Sequence, residues 1–342
     1  MVSNSAAWIK APKQKLEVDS AEEPTAQKGE VVVKVHAVSI QPVDWKIREY
    51  DFFVKKYPFI LGTDVAGVVE QVGEGVSHVK VGDRVLGHAL GLGTYDPRHS
   101  AFQEYAVIHG TTIARIPSSI SFERATVLPL ALSTASAGLY QPGYLELPYP
   151  SATTPSSTGK SILIWGGSAS VGSAAIQLAK ASGLRVVSTA SPANHDFVKS
   201  LGADVVVDYK DEKVVDKLVE ALEGSEFAGV YDAISENGSV EASAQVATRV
   251  GGNKFIATVL PPPENLPEGV KAAGVFAVTV GTQHSQVGIA VYQKFVTEAL
   301  ENGSLQTKPD PLVVGKGLES IDHGLDVQKK GVSFKKVVVN II

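Results

Sequence analysis

The chain contains no cysteine. Disulfides, iron–sulfur clusters and thiolate-bound zinc are therefore excluded. It also lacks an apolar run of the ~20 residues that a membrane-spanning helix requires. No lysine–arginine block stands out and the formal net charge is -5, which argues against nucleic acid as a partner. The opening stretch MVSNSAAWIKAPKQK has neither the basic start nor the apolar centre of a secretory signal. The expectation is a cytoplasmic protein with no membrane or nucleic-acid partner.

What the chain does have is patterned hydrophobicity. It has 342 residues, 44% of them hydrophobic, enough for about two domains at roughly 150 residues each. To about residue 125 it is rich in glycine, valine and short alternating runs. EVVVKVHAVSI (30–40) reads as a strand, and TDVAGVVEQVGEGVSHVKVGDRVLG (63–87) as three strands parted by turns. AFQEYAVIHGTTIARI (101–116) continues the style, so this part predicts a barrel or a partly open sheet.

The middle changes character. SILIWGG, RVVSTAS, DVVVDY, AGVYDAI and NKFIATV read as strands, with helical stretches at 170–183, 193–203, 212–222 and 239–248 between them. Continuous Val/Ile strands alternating with helices predict a parallel sheet covered on both faces. GVFAVTVG (274–281) is the expected last strand, and PPPENLPEG (261–269) a surface loop. The Pro/Ser/Thr-rich 141–159 is expected to be irregular. VGIAVYQKFVTEALENGSL reads as a helix and KKVVVNII as a strand returning to the first domain. The predicted division sets 1–130 with 284–342 against 131–283.

The stretch ILIWGGSASVGSAAIQLAK (162–180) carries the most chemistry. A buried strand stops at Gly166-Gly167-Ser168 and a helix begins at once. Amides at a helix N-terminus carry about half a positive charge and bind phosphate. Gly166 suits the tight turn, Gly172 close packing of the helix, and Ala169 is small enough where a pyrophosphate approaches. Gly166, Ser168, Ala169, Ser170, Val171 and Gly172 thus form the candidate diphosphate loop. A second reading is a hydrolase elbow: Gly166-Gly167-Ser168-Ala169-Ser170 nearly fits G-x-S-x-G, with Asp232 and His284 following in triad order. The absent second glycine ranks it below the cofactor loop.

The next strand ends Ser188-Thr189-Ala190-Ser191, without the acid that would hold a ribose 2′-hydroxyl. A carboxylate there would repel a 2′-phosphate and hydroxyls would not, so the expected cofactor is NADP(H). Ser191, Asn194 and Lys199 are its candidate phosphate partners, with Tyr209 after the following strand. No arginine follows directly. Thr258, Val259 and Leu260 end a later strand, where such sheets bind ligands.

These residues resemble the medium-chain dehydrogenase/reductase family over nearly the whole chain. SIQPVDWKIRE is similar to its Asn-Pro-x-Asp segment and YPFILGTDVAGVVEQVGEGVSHVKVGDRV to its N-domain signature. GKSILIWGGSASVGSAAIQLAKASG and LGADVVVDY resemble its nucleotide half. The resemblance implies an α/β protein: a GroES-like β-barrel catalytic domain built from both chain ends, a Rossmann doubly wound parallel sheet between, and a substrate cleft at their junction. Zinc-dependent members carry Gly-His-Glu and cysteines; here the triplet is Gly62-Thr63-Asp64 and the eight histidines are scattered in sequence. A catalytic metal is not expected. The nearest subgroup resembles zinc-free quinone and enoyl reductases, including fungal trans-acting enoyl reductases of polyketide synthesis and zinc-type alcohol dehydrogenase-like proteins.

The resemblance implies hydride transfer from NADPH to an activated C=C or a quinone. An enolate spreads its charge over three atoms, so preorganised donors worth roughly 3 kcal/mol suffice without a Lewis acid. The implied catalytic residues are Lys46, in a position where relatives often place a tyrosine, then Tyr50 and Thr134. Gln41 departs from the family asparagine. Lys335 resembles a C-terminal loop that reaches the cofactor in relatives. Expected partners are an enone, quinone or enoyl thioester, with a carrier protein or synthase in the trans-acting case. A homodimer would pair GVFAVTVG edge to edge.

Overall fold

The computed structural model describes residues 4–342. Its strands are β1 (Asn4–Ile9), β2 (Leu16–Ala21), β3 (Glu30–Ser39), β4 (Phe59–Ile60), β5 (Asp64–Val72), β6 (Arg84–His88), β7 (Tyr105–His109), β8 (Ile113–Arg115), β9 (Lys160–Trp165), β10 (Arg185–Thr189), β11 (Val205–Val207), β12 (Glu226–Asp232), β13 (Phe255–Thr258), β14 (Lys271–Gly274), β15 (Asp310–Lys316) and β16 (Lys335–Asn340). The chain divides into two compact units. One runs to Leu130 and adds Gly281–Glu301 and Thr307–Ile342; the other comprises Ala131–Val280 and Asn302–Gln306. The chain thus leaves the second unit at Val280, three residues before the expected boundary, and Asn302–Gln306 goes with it.

In the second unit six strands lie in the order β11-β10-β9-β12-β13-β14, every pair parallel. Counted by first appearance the order is 3-2-1-4-5-6. The direction of winding reverses beside β9, where such sheets bind ligands. Helices Ser170–Ala181, His195–Ser200, Val214–Leu222 and Ser239–Val250 supply the crossovers. Leu218 and Leu222, one turn apart, pack with Leu163, Val187, Phe227, Val230 and Ile256 in one buried cluster. A strand buried on both faces has no polar side to show, which is why SILIW reads as a continuous apolar run.

Three readings require correction. GVFAVTVG is not the last strand: β14 is Lys271–Gly274, in parallel register with Phe255–Thr258. The Val275 amide closes that ladder on the Thr258 carbonyl at 2.8 Å, and Ala277–Val280 then winds into a 3₁₀ turn that buries Val278 and Val280. Val278 and Val280 serve the core while Phe276 is exposed, and residues 275–281 form no strand that could pair a second copy. In 63–87 only β5 and β6 form. The stretch between turns on Gly75 and Gly82, with φ near +87° and +86°, and spends Val79 on the core. The helix expected over 193–203 is a 3₁₀ turn, Pro192–Asn194, followed by His195–Ser200.

The first unit holds a three-stranded sheet, β2-β1-β4, and a seven-stranded one, β15-β16-β3-β5-β6-β8, with β7 paired to β3. The C-terminal strand β16 lies antiparallel to β3, Val338 opposite Ser39, and parallel to β15. Val31, Val33 and Val35 of β3 alternate into a core shared with Val65, Val85, Phe102 and Val337. The helix Pro42–Tyr50 leaves β3 through Gln41; Pro42 supplies a preset φ where no amide is needed.

Candidate functional site

The glycine turn is built by contacts that forbid side chains. Gly166 has φ +81°, and a Cβ there would lie 2.4 Å from Ile234 Cγ1. At Gly167 it would meet Ser188 Oγ at 2.3 Å, and at Gly172 the Gly166 carbonyl oxygen at 2.1 Å. Gly172 therefore seats the helix directly on the turn, and Gly167, which sequence reasoning passed over, is as constrained as the others. Thr189 clamps the loop: its Oγ1 accepts from the Gly166 amide at 2.9 Å and its carbonyl from Gly167 at 2.9 Å.

The helix Ser170–Ala181 starts at Ala169, whose extended backbone (φ -69°, ψ 157°) is that of an N-cap but whose methyl cannot cap. The Ala169 amide bonds the Gly166 carbonyl. Among the described residues, the amides of Ser168, Ser170, Val171 and Gly172 meet no backbone acceptor. Uncapped amides at the end of a three-turn helix, beside glycines that admit no Cβ, fit a diphosphate.

The other strand ends surround this loop within the same sheet. Ser188 and Thr189 spend their hydroxyls on the Ile164 carbonyl and the Gly166 amide, which leaves Ser191 as the hydroxyl at the end of β10. Asn194 Nδ2 donates to Ser191 Oγ at 3.2 Å, so these two predicted residues do come together. Lys199 and Tyr209 are exposed, and Lys210 lies over the Tyr209 ring at 5.7 Å. Thr258 is fully buried with its hydroxyl bonded to the Leu260 carbonyl at 2.7 Å, so it shapes the 258–260 turn. The Val259 amide bonds Ser235 Oγ at 3.0 Å. Asp232, the acid of the hydrolase reading, accepts from the Ile234 and Ser235 amides and Ser239 Oγ. Its carboxylate holds its own loop and orients no histidine. Thr134 is half-buried in the helix Pro129–Tyr140, and its carbonyl accepts from Tyr231 Oη at 2.7 Å.

The first unit presents a buried polar cluster. Asp64, fully buried at the start of β5, accepts from Ser39 Oγ, Gln41 Nε2 and the Leu130 amide. Gln41 Oε1 accepts from Lys336 Nζ at 2.7 Å, so the departure from the family asparagine is a bridge between a carboxylate and an ammonium. Asp44 closes a capping box with the Gln41 amide at 2.8 Å and also accepts from Gly62. Burial pushes the Asp44 carboxyl up to about 7, against its backbone hydrogen bond to Gln41, and the Asp64 charge adds to the rise. Burial raises Asp64 and lowers Lys336, while the attraction between the two opposes both shifts.

Lys336 is thus the buried C-terminal lysine. Lys335, which the sequence favoured, is about half exposed and lies 4.0 Å from Asp310. The residue beside it in a strand faces the other way, and only the pairing of β16 with β3 decides which one is inside. Lys46 and Tyr50 share the helix Pro42–Tyr50: Lys46 Nζ stands 5.8 Å from the Trp45 ring, and Tyr50, 64% exposed, meets the same ring edge-on at 6.0 Å. Around Asp64 stand a hydroxyl, a carboxamide, a backbone amide and an ammonium. The first three donate to the carboxylate and the ammonium donates to the carboxamide, an arrangement that does not fit a catalytic zinc, which needs three side-chain ligands and an open position.

A parallel 3-2-1-4-5-6 sheet with an uncapped helix behind a glycine turn defines a Rossmann-type fold of the dinucleotide-binding kind. Residues 27–118 match the alcohol dehydrogenase GroES-like domain and residues 170–301 the zinc-binding dehydrogenase domain. The chain is 43% identical over 339 residues to the trans-enoyl reductase himH of Aspergillus japonicus, covering 99% of this chain and 97% of that one. It is 41% identical to the dehydrogenase orsE of Emericella nidulans, with both chains fully covered. Its fold is shared by an alcohol dehydrogenase superfamily protein from Novosphingobium aromaticivorans (TM-score 0.76, 23% identity, 99% and 100% covered) and by the CurK enoyl reductase (TM-score 0.73, 20% identity, 99% of each covered). The chain belongs to the medium-chain dehydrogenase/reductase family, whose members bind nicotinamide cofactors.

Proposed function

We propose that the protein is an NADPH-dependent reductase of activated C=C bonds, on enones, quinones or enoyl thioesters, that works without a catalytic metal. The observation that carries this reading is the uncapped turn at 166–172, taken with the lysine-bridged carboxylate cluster at Asp64. When bound, the nicotinamide supplies the hydride. The amides of Ser168, Ser170, Val171 and Gly172 hold the diphosphate. Ser191, Asn194 and Lys199 meet the 2′-phosphate; no carboxylate at the end of β10 repels it. Lys46 is the candidate donor to the substrate carbonyl or to the nicotinamide ribose, Thr134 to the nicotinamide amide or the substrate, and Tyr50 is the candidate proton source. Val259, Leu260, Tyr209 and Lys335 are the remaining candidates around the cofactor.

The name of the 43%-identical relative favours one refinement, an enoyl chain presented by a carrier protein or a synthase acting in trans. Two measurements test the proposal. Trp165, buried at the end of β9 next to the loop, should be quenched by NADPH at lower concentration than by NADH. NADPH oxidation should then follow addition of an enone, a quinone or a carrier-bound enoyl thioester. Stronger quenching by NADH defeats the phosphate assignment. Tight NADPH binding without turnover of any of the three substrates defeats the reductase and favours a non-catalytic binding protein.

A further inference from the structure

The fold gathers residues that looked scattered in the sequence. Glu30, at the start of β3, lies directly opposite His109, at the end of β7, in an antiparallel register. Residues so paired project on one face with Cβ atoms about 5 Å apart. The short 3₁₀ turn Pro97–His99 brings His99 against them: its Nε2 stands 3.0 Å from Glu30 Oε1, and its ring meets that of His109 edge-on at 4.8 Å. One ligand atom from each of the three lies within 4.8 Å of the others, and among the described residues no second such group of three occurs. Glu30 and His99 are buried and His109 is half-buried.

The hydrogen bonding leaves one ring nitrogen of this group without a partner. Thr94 Oγ1 donates to the Leu90 carbonyl, so it must accept from His99 Nδ1, 3.0 Å away. With its proton held on Nδ1 by Thr94, the ring has Nε2 directed at Glu30 Oε1, the nitrogen that would ligate a cation. Glu30 Oε2 already accepts from the Gln27 amide at 3.0 Å, which leaves Oε1 for the third party. His109 Nε2 is buried without a hydrogen-bond partner. A proton between His99 and Glu30 would settle that pair and leave His109 unsatisfied. A cation ligated by all three would settle everything.

We propose that Glu30, His99 and His109 bind one Zn²⁺ ion, with Thr94 and Gln27 as the outer shell that orients the ligands. Two imidazoles and a carboxylate suit Zn²⁺ among divalent ions, with tetrahedral ligand atoms about 3.3 Å apart, and a water completes the fourth position. Glu30 and Ser39 are the two ends of β3, roughly 30 Å apart at strand rise, so the ion lies far from the Asp64 cluster. It is a clamp that ties the 97–99 turn to the sheet, with no part in hydride chemistry.

Tag-free protein stripped with chelator and titrated with Zn²⁺ tests this. One equivalent per chain, retained through gel filtration, with a rise in Tm, is expected. Substituted Co²⁺ should give the visible absorption of a four-coordinate centre. His109→Leu removes a ligand but no hydrogen bond, so it should fold normally and weaken binding by more than the roughly 100-fold that outer-shell losses cost. Glu30→Gln, which keeps an acceptor for Gln27, should do the same, and Thr94→Val should weaken binding about 10-fold. Failure of the wild-type protein to take up Zn²⁺ saturably, or uptake unchanged in both His109→Leu and Glu30→Gln, overturns the proposal.

Discussion

Replacing Ala169 by aspartate should stabilise the protein and abolish its cofactor affinity in one step. Ala169 already has N-cap backbone angles and offers no side-chain oxygen. An aspartate there accepts from the amide of Val171 or Gly172, a cap worth about 1 kcal/mol, and its charge interacts with the helix dipole for up to ~1 kcal/mol more. Each kcal/mol corresponds to roughly 2–4 °C in Tm for a domain of this size. The same carboxylate occupies an amide assigned to the diphosphate. Losing that charged hydrogen bond costs about 1.5–3 kcal/mol, and a like charge some 4 Å away at an effective dielectric near 20 costs about 4 kcal/mol more. NADPH should bind at least ~100-fold more weakly. Ala169→Ser isolates the two terms, because it caps without charge: it should give a similar Tm gain with the smaller binding loss. Differential scanning fluorimetry of the free protein and Trp165 quenching by NADPH give both readouts. A Tm gain in both variants with NADPH affinity unchanged would refute the diphosphate assignment and make the turn purely structural.

Gly172→Ala should leave the secondary structure intact by circular dichroism, yet raise the NADPH Kd by about 10-fold or more, because the new Cβ would sit 2.1 Å from a backbone oxygen and the turn must give way. Lys46→Met, and separately Thr134→Val, should lower kcat/KM for an enone by roughly 10²–10³ with NADPH binding preserved, the loss expected of a missing donor at a developing oxyanion; full activity in both would remove them from the reaction. The Asp44 carboxyl, held above its unfolded value, binds its proton more tightly in the folded chain. Its contribution to stability is full below about pH 4 and is lost as the pH rises toward 7. Asp44→Asn should flatten that part of the Tm-against-pH curve, and an unchanged slope would refute the assignment.

The buried Asp64–Gln41–Lys336 bridge replaces ligand chemistry with charge compensation. Two carboxylates and one ammonium are neutral together only when one carboxyl keeps its proton, which is the direction in which burial moves Asp44. Breaking such a group by removing the lysine leaves an uncompensated buried charge, a loss of about 3–5 kcal/mol.

What the sequence by itself determined is local. SILIW, VVST and the helix Ser170–Ala181 were legible because strand and helix periodicities act over a few residues, and the turn at 166–172 because glycines and an apolar strand meet there. Tertiary structure alone decided that Lys336 and not Lys335 is buried, that Gln41 contacts a residue 295 positions away, and that Glu30, His99 and His109 converge. It also turned GVFAVTVG into core and a 3₁₀ turn while the unremarkable KAAG took the strand. Strand register and the pairing of buried charges are set by which partners the whole chain brings into contact, and no window of neighbouring residues carries that information.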